Sequence, residues 1–156
     1  MNDNKKLILS WGVPIFGALC GLIAFFMIFV KAVYTPYSLA ESYTGIQVAL
    51  GCSTTSDYPI FRASAGVIFA FLLPMIAACG AVIGKGYKIV TALSAAAMIA
   101  GGALAFSAMH LIRPAITFPT ISLAAGPIAS GVLSIVGGVA LAASIPLEIY
   151  LRRTEK

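Results

Sequence analysis

The chain has 156 residues and a net charge of +5, and it is 60% hydrophobic but only 10% charged. A water-soluble globule of that size cannot hide so much apolar surface, because small domains have a high ratio of surface to volume. Composition therefore excludes an ordinary soluble domain and makes lipid the expected solvent. The positive balance calls for no nucleic acid, since no basic stripe interleaved with aromatics is present and basic ends beside anionic headgroups account for it.

Lys5 and Lys6 precede the first apolar run, Leu7 to Val30. A bilayer core takes about 20 residues of helix to cross, so this run is long enough to span. A secretory signal has a shorter apolar region and a small-residue cleavage site, so the run is read as a retained anchor. It offers Gly17 and Gly21 as small packing positions, and its bulky "FFMIF" end is expected to face lipid.

Residues 31–62 form the one long polar stretch and are assigned to an outer loop. Tyr34, Tyr37 and Tyr43 favour the headgroup zone. In "GIQVALG", Ile46, Val48 and Leu50 alternate between two glycines, the pattern of a short strand with one buried face. The loop is expected to be ordered, either capping the helix ends or offering a contact surface to a partner.

Three further runs follow, Ala63 to Gly84, Ile89 to Ile112 and Ile121 to Leu147, none with Asp, Glu, Lys or Arg. They are apolar on every face, unlike barrel strands, which alternate. In the second run Pro74 should kink the helix and free a carbonyl for Ser64, Ser94 or another neighbour. The third is so rich in alanine and glycine that it is expected at the bundle centre.

Small residues allow close backbone approach where the hydrophobic effect no longer drives helix against helix. The fourth run places Gly126, Ser130, Ser134, Gly138 and Ala142 at every fourth position, and the third adds Ala97, Gly101 and Ala105 in the same register. The fold expected is an all-α integral membrane protein, one membrane domain over residues 1–156. It is a four-transmembrane-helix antiparallel up-and-down bundle with a short β segment in the first extracytoplasmic loop.

Lys and Arg in the flanks set the orientation. Seven (Lys5, Lys6, Lys85, Lys88, Arg152, Arg153 and Lys156) lie on one side and three (Lys31, Arg62 and Arg113) on the other. Both termini are therefore expected in the cytoplasm, with the plasma membrane as the expected location.

Candidates for chemistry are few. Cys20, Cys52 and Cys79 form no C-x-x-C pair, and Cys52 alone falls on the oxidising side, free or paired between chains. One histidine, His110, cannot build an ordinary zinc centre. No acid sits mid-membrane, and neither a phosphate-cradling glycine loop nor a G-x-S-x-G or H-E-x-x-H motif occurs. Lys31, Glu41, Asp57, Arg62, His110 and Arg113 could gather as one outer polar cluster, a grouping that more often tethers a loop than performs acid–base work.

The layout of a strand-bearing first outer loop, with Arg62 at the outer start of the second span, resembles that of claudin-like four-span proteins. Their loop tryptophan and paired cysteines are missing here: Trp11 lies in the first span and Cys52 has no partner cysteine in the loop. The likeness is one of architecture and implies no junction role. The expected function is non-enzymatic, without cofactor or metal: an accessory or assembly subunit contacting lipid and other membrane subunits or copies of itself. The alternative is a subunit of an oligomeric small-solute or lipid transporter or channel.

Overall fold

The computed structural model describes residues 3–35, 42–53, 59–84, 86–115 and 121–153, with side chains from residue 10 to residue 151. Helix α1 (Asp3–Phe26) passes through a 3-10 turn (Met27–Phe29) into β1 (Lys31–Tyr34). There follow β2 (Ser42–Thr44), α2 (Gly45–Leu50), β3 (Cys52–Ser53), β4 (Pro59–Arg62) and α3 (Ala65–Ile83). The chain then runs through α4 (Lys88–Phe106), α5 (Ala108–Leu111), β5 (Arg113–Pro114), β6 (Ser122–Leu123) and α6 (Ala125–Arg153).

Helices α1, α3, α4 and α6 each hold a stretch long and apolar enough to cross a bilayer. The shortest of these stretches has 19 residues, about 29 Å of helix at 1.5 Å per residue, which matches a hydrocarbon core. The turn between α3 and α4 is tight because Gly84 N–H closes on the Gly80 carbonyl at 2.8 Å and Gly86 takes a φ of +97°. A side chain at Gly86 would be strained in that left-handed region.

The four long helices form a ring in which each packs on two neighbours: α1 on α3 and α6, α4 on α3 and α6. The diagonal pairs meet only marginally. Neighbours run antiparallel, since the end of α1 meets the start of α6 and the start of α3 meets the end of α4 and α5. The expected central position for the third span is therefore corrected. Helix α4 takes a corner like the others, because four rods of similar girth with alternating direction close a square without any one enclosed.

What fills the centre is one side chain. Met98 of α4 is fully buried; a Cβ built on Gly21 of α1 would collide with its Cε, and one on Gly137 of α6 would lie 2.9 Å from it. Pro74 is buried against Gly101, whose added Cβ would sit 2.7 Å from the proline Cδ. Helix α3 runs on through Pro74 as one element. Neither serine expected to satisfy the freed carbonyl is placed to do so: Ser64 Oγ donates to the Leu111 carbonyl at 2.6 Å, and Ser94 lies against Gly80.

The strands of the described residues gather at one end of the bundle. One sheet has the order β2-β1-β6 and the other β3-β4-β5, every pairing antiparallel. Their inner residues, Ala32, Val33, Ile60 and Phe61, bury against α2 and the upper parts of α3 and α4 through Val48, Ala49, Phe71 and Ala105. Tyr43 of β2 crosses to Phe61 of β4 with ring centroids 5.2 Å apart, edge to face, joining the sheets.

The strand expected in "GIQVALG" is corrected: those residues are α2, a helix flanked by strands. Thr44 accepts from Gln47 N while the Gln47 side chain accepts from Thr44 N at 2.9 Å, a reciprocal capping box. Buried Gly45, Val48 and Ala49 follow the helical spacing of three and four, whereas Leu50 is exposed. The cap and this spacing outweigh three alternating apolar residues.

Candidate functional site at the sheet-bearing end

The two arginines at this end are brought together by strand pairing. Arg62 closes β4 and Arg113 opens β5, and the two are register partners. Directly opposed residues of an antiparallel pair project from the same face, with Cβ atoms about 4.5–5.5 Å apart. Burial along β4 runs exposed, buried, buried, exposed, so the strand comes out of the core at Arg62, and both arginines are exposed. Neither has an ion pair among the described residues.

The remaining members of the expected polar cluster are dispersed. Lys31 begins β1 in the other sheet, opposite Thr44, and is exposed. His110 lies exposed in the last turn of α5. Glu41 and Asp57 lie outside the described residues. Among the described residues no group of three His, Cys, Asp or Glu could hold a metal ion.

The junction beneath the arginine pair is locked by side-chain and backbone bonds. Ser64, the residue before α3, gives its hydroxyl to Leu111 rather than to its own helix, so the first turn of α3 has no side-chain cap. Ser64 N–H bonds the Ala49 carbonyl at 3.0 Å, and Ala115 N–H bonds Ile60 O at 2.9 Å. These contacts hold the end of α2, the start of α3 and the α5–β5 segment together.

Cys52 in β3 is half-buried and free, opposite Phe61. Burial raises its thiol above the ordinary range, partly offset by a backbone hydrogen bond from Phe61. Cys20 is buried in α1 and Cys79 exposed on α3, both free.

The small residues are shared among the seams of the ring. Gly126 packs on the carbonyls of Met27, Val30 and Lys31, and Ser130 Oγ donates to the Ala24 carbonyl at 2.9 Å, both toward α1. Gly17 lies against Leu141 and Gly137, and Gly21 against Pro74 and Ala78. Ser134 and Gly138 face α4, beside Gly102 and Ile99 respectively, and Gly101 faces α3. Ala105 is buried, Ala97 half-buried and Ala142 exposed. A line of every fourth residue precesses by about 40° per step on a helix of 3.6 residues per turn. It therefore starts at α1, crosses to α4 and has left the interface by Ala142.

Sequence reasoning passed over Gly131, Gly137, Leu141 and Ser144. Pro127, Ser130, Ser134, Gly137, Leu141 and Ser144, spaced alternately by three and four, run along the buried face of α6, with Gly131 and Gly138 buried beside them. That heptad-like period was the signal that locates the inner face. Ser134 Oγ is fully buried with no hydrogen-bond partner, in contrast to Ser130 and to Ser144, which donates to Leu141 O at 2.6 Å.

At the opposite end all four long helices line a small cavity of about 20 Å³, with Ser10, Thr91, Ser144 and Glu148 among its walls. That volume is about one water. On the outer surface α1 and α3 frame an almost wholly apolar groove of about 390 Å³, lined by Ile15, Leu19, Leu22, Cys79, Val82 and Ile83 among others. No protein-family model, no curated protein and no solved structure matches this chain.

Proposed function

We propose that the chain is an integral membrane protein of the cell membrane, with both termini cytoplasmic and the sheet-bearing end outside, that acts without catalysis as an accessory or assembly subunit. The observation that carries this reading is the filled centre of the ring. Met98 is fully buried there, with Leu141 packed in the same cluster, and close glycine contacts draw the helices together around it. A bundle with a packed interior works through its surfaces. Large apolar side chains cover those surfaces on every long helix, among them Phe16, Phe69, Ile99 and Val139. In the sequence, seven basic residues flank the runs on one side against three on the other, which supports the orientation.

Native mass spectrometry after extraction in a mild detergent tests the reading. The chain should emerge in stoichiometric association with other membrane subunits or with copies of itself. Tryptophan placed on exposed helix faces, as in Cys79→Trp and Val139→Trp, should break that association at one face at least without shifting the thermal midpoint. A lone monomer under every mild condition contradicts the proposal.

The partnerless hydroxyl of Ser134 favours a second reading, a transporter or channel subunit whose small-solute or lipid pathway opens along the α4–α6 seam. Flux in proteoliposomes that disappears in Ser134→Leu would support it; flux absent from the native chain would dismiss it.

A further inference from the structure

We propose that the Arg62–Arg113 pair is a binding site for a phosphate group, supplied by the headgroup of an anionic phospholipid in the adjoining leaflet. The strand pairing sets two guanidinium side chains on one exposed face, directly across from each other. Like charges so placed repel, and they do so without an ion pair to relieve them among the described residues. An oxyanion between them reverses the sign of that interaction, and the planar guanidinium fork matches phosphate oxygens in pairs.

A second feature converges on the same place. Helix α3 begins three residues after Arg62 with no side-chain cap, because Ser64 has turned its hydroxyl to Leu111. An uncapped N-terminus of a 19-residue helix presents unsatisfied N–H groups and the positive end of its dipole. The same Ser64–Leu111 bond holds Arg113, two residues beyond Leu111, at that junction. Two exposed arginines on paired strands and a helix N-terminus thus lie at one corner of the fold, and no acid in the described residues is paired there.

The source follows from position and rests on the membrane-spanning reading. Arg62 lies three residues before the start of α3, and its strand partner Arg113 is held at the same end, the level of the headgroups when α3 crosses the bilayer. Lys31, at the same end but in the other sheet, is the matched control for charge alone.

Native mass spectrometry of the purified chain in nanodiscs that mix phosphatidylglycerol with phosphatidylcholine reads occupancy directly. The native chain should retain phosphatidylglycerol. Arg62→Gln and Arg113→Gln should each lower its affinity on the order of tenfold, in the range expected for a lost charge-assisted bond. Lys31→Gln should stay within about twofold, as an exposed charge outside the site does. Arg113→Lys should fall between Arg113→Gln and the native chain, since it keeps the charge and loses the fork. In phosphate-free detergent Arg113→Gln should melt no lower than the native chain, because it removes a repulsion, which separates loss of the site from loss of the fold.

Equal phosphatidylglycerol binding by the native chain and a folded Arg62→Gln/Arg113→Gln variant overturns the proposal, as does a Lys31→Gln effect as large as theirs. Titration with inorganic phosphate in detergent separates the sources. Saturable phosphate binding that needs both arginines, with no retained phosphatidylglycerol, keeps the phosphate site and overturns the headgroup as its source. None of these outcomes depends on whether the protein has partner subunits.

Discussion

Gly21 sits where α1 meets both Pro74 of α3 and the tip of Met98, with the Pro74 carbonyl oxygen 2.6 Å from where a Cβ would lie. Met98 is flexible and can yield, but a backbone carbonyl inside a helix cannot. Gly21→Ala is therefore expected to cost about 1–3 kcal/mol, the range for overpacking a close-packed interior. Ala142→Val, on the exposed face of α6, should stay within about 0.5 kcal/mol. Unfolding in mixed detergent micelles compares the two, and equal costs would contradict the assignment of the interface. Ser130→Ala removes an interhelical bond to the Ala24 carbonyl and should cost about 0.5–1.5 kcal/mol. Cys52 carries the pH dependence at this scale. Burial favours its neutral thiol, so the unfolded chain ionises first and the contribution of this residue to stability falls as pH rises through the ordinary thiol range. In a Cys20→Ala/Cys79→Ala background, alkylation of Cys52 should still be accelerating above about pH 9, beyond the midpoint of an ordinary thiol. A plateau at lower pH would show that burial does not govern it.

At the scale of elements, α2 depends on its cap. Thr44→Ala removes half of the reciprocal arrangement with Gln47 and should cost about 0.5–2 kcal/mol, as N-cap losses do. Hydrogen exchange at residues 45–50 should quicken while the amides in the middle of α3 keep their protection. Unchanged exchange in α2 would mean that packing of Val48 and Ala49 alone holds it. The next residue after α2, Gly51, has a φ of +88° and an added Cβ would lie 3.0 Å from the Phe61 carbonyl, so Gly51→Ala strains the chain both by conformation and by contact.

These elements also show what the sequence makes legible. The four long helices follow from run length, because in lipid every backbone group has to be satisfied within its own segment. Helix α2 was equally written, in the Thr44-x-x-Gln47 spacing, but a strand-like alternation of Ile46, Val48 and Leu50 masks it over so few residues. Strands β3, β5 and β6 have two residues each, too few for any period to register, and the partners of β5 and β6 are distant in sequence. The Arg62–Arg113 pairing is invisible for that reason: it depends on a strand from each loop. The expectation of a polar cluster placed both arginines at one end of the bundle, yet their register partnership needed the fold.

For the whole molecule, the arrangement is a ring of four apolar helices closed around Met98 at one level and capped by two small sheets at one end. The sheets draw strands from both loops, so that β6 completes the sheet begun by β1 and β5 the sheet begun by β3. This end is accordingly one unit rather than two independent connectors. Among the described residues, the opposite end has the tight turn between α3 and α4, the start of α1 and the end of α6. The asymmetry of structure parallels the asymmetry of basic residues, and the two together underlie the proposed insertion. Its most direct test is thiol labelling in intact cells with a membrane-impermeant maleimide. In a Cys20→Ala/Cys79→Ala chain, Cys52 should be labelled without permeabilisation. In a chain with Cys52→Ala added, Thr154→Cys should be labelled only after the membrane is opened. Labelling of Thr154→Cys in sealed cells, with Cys52 protected until lysis, would contradict the account.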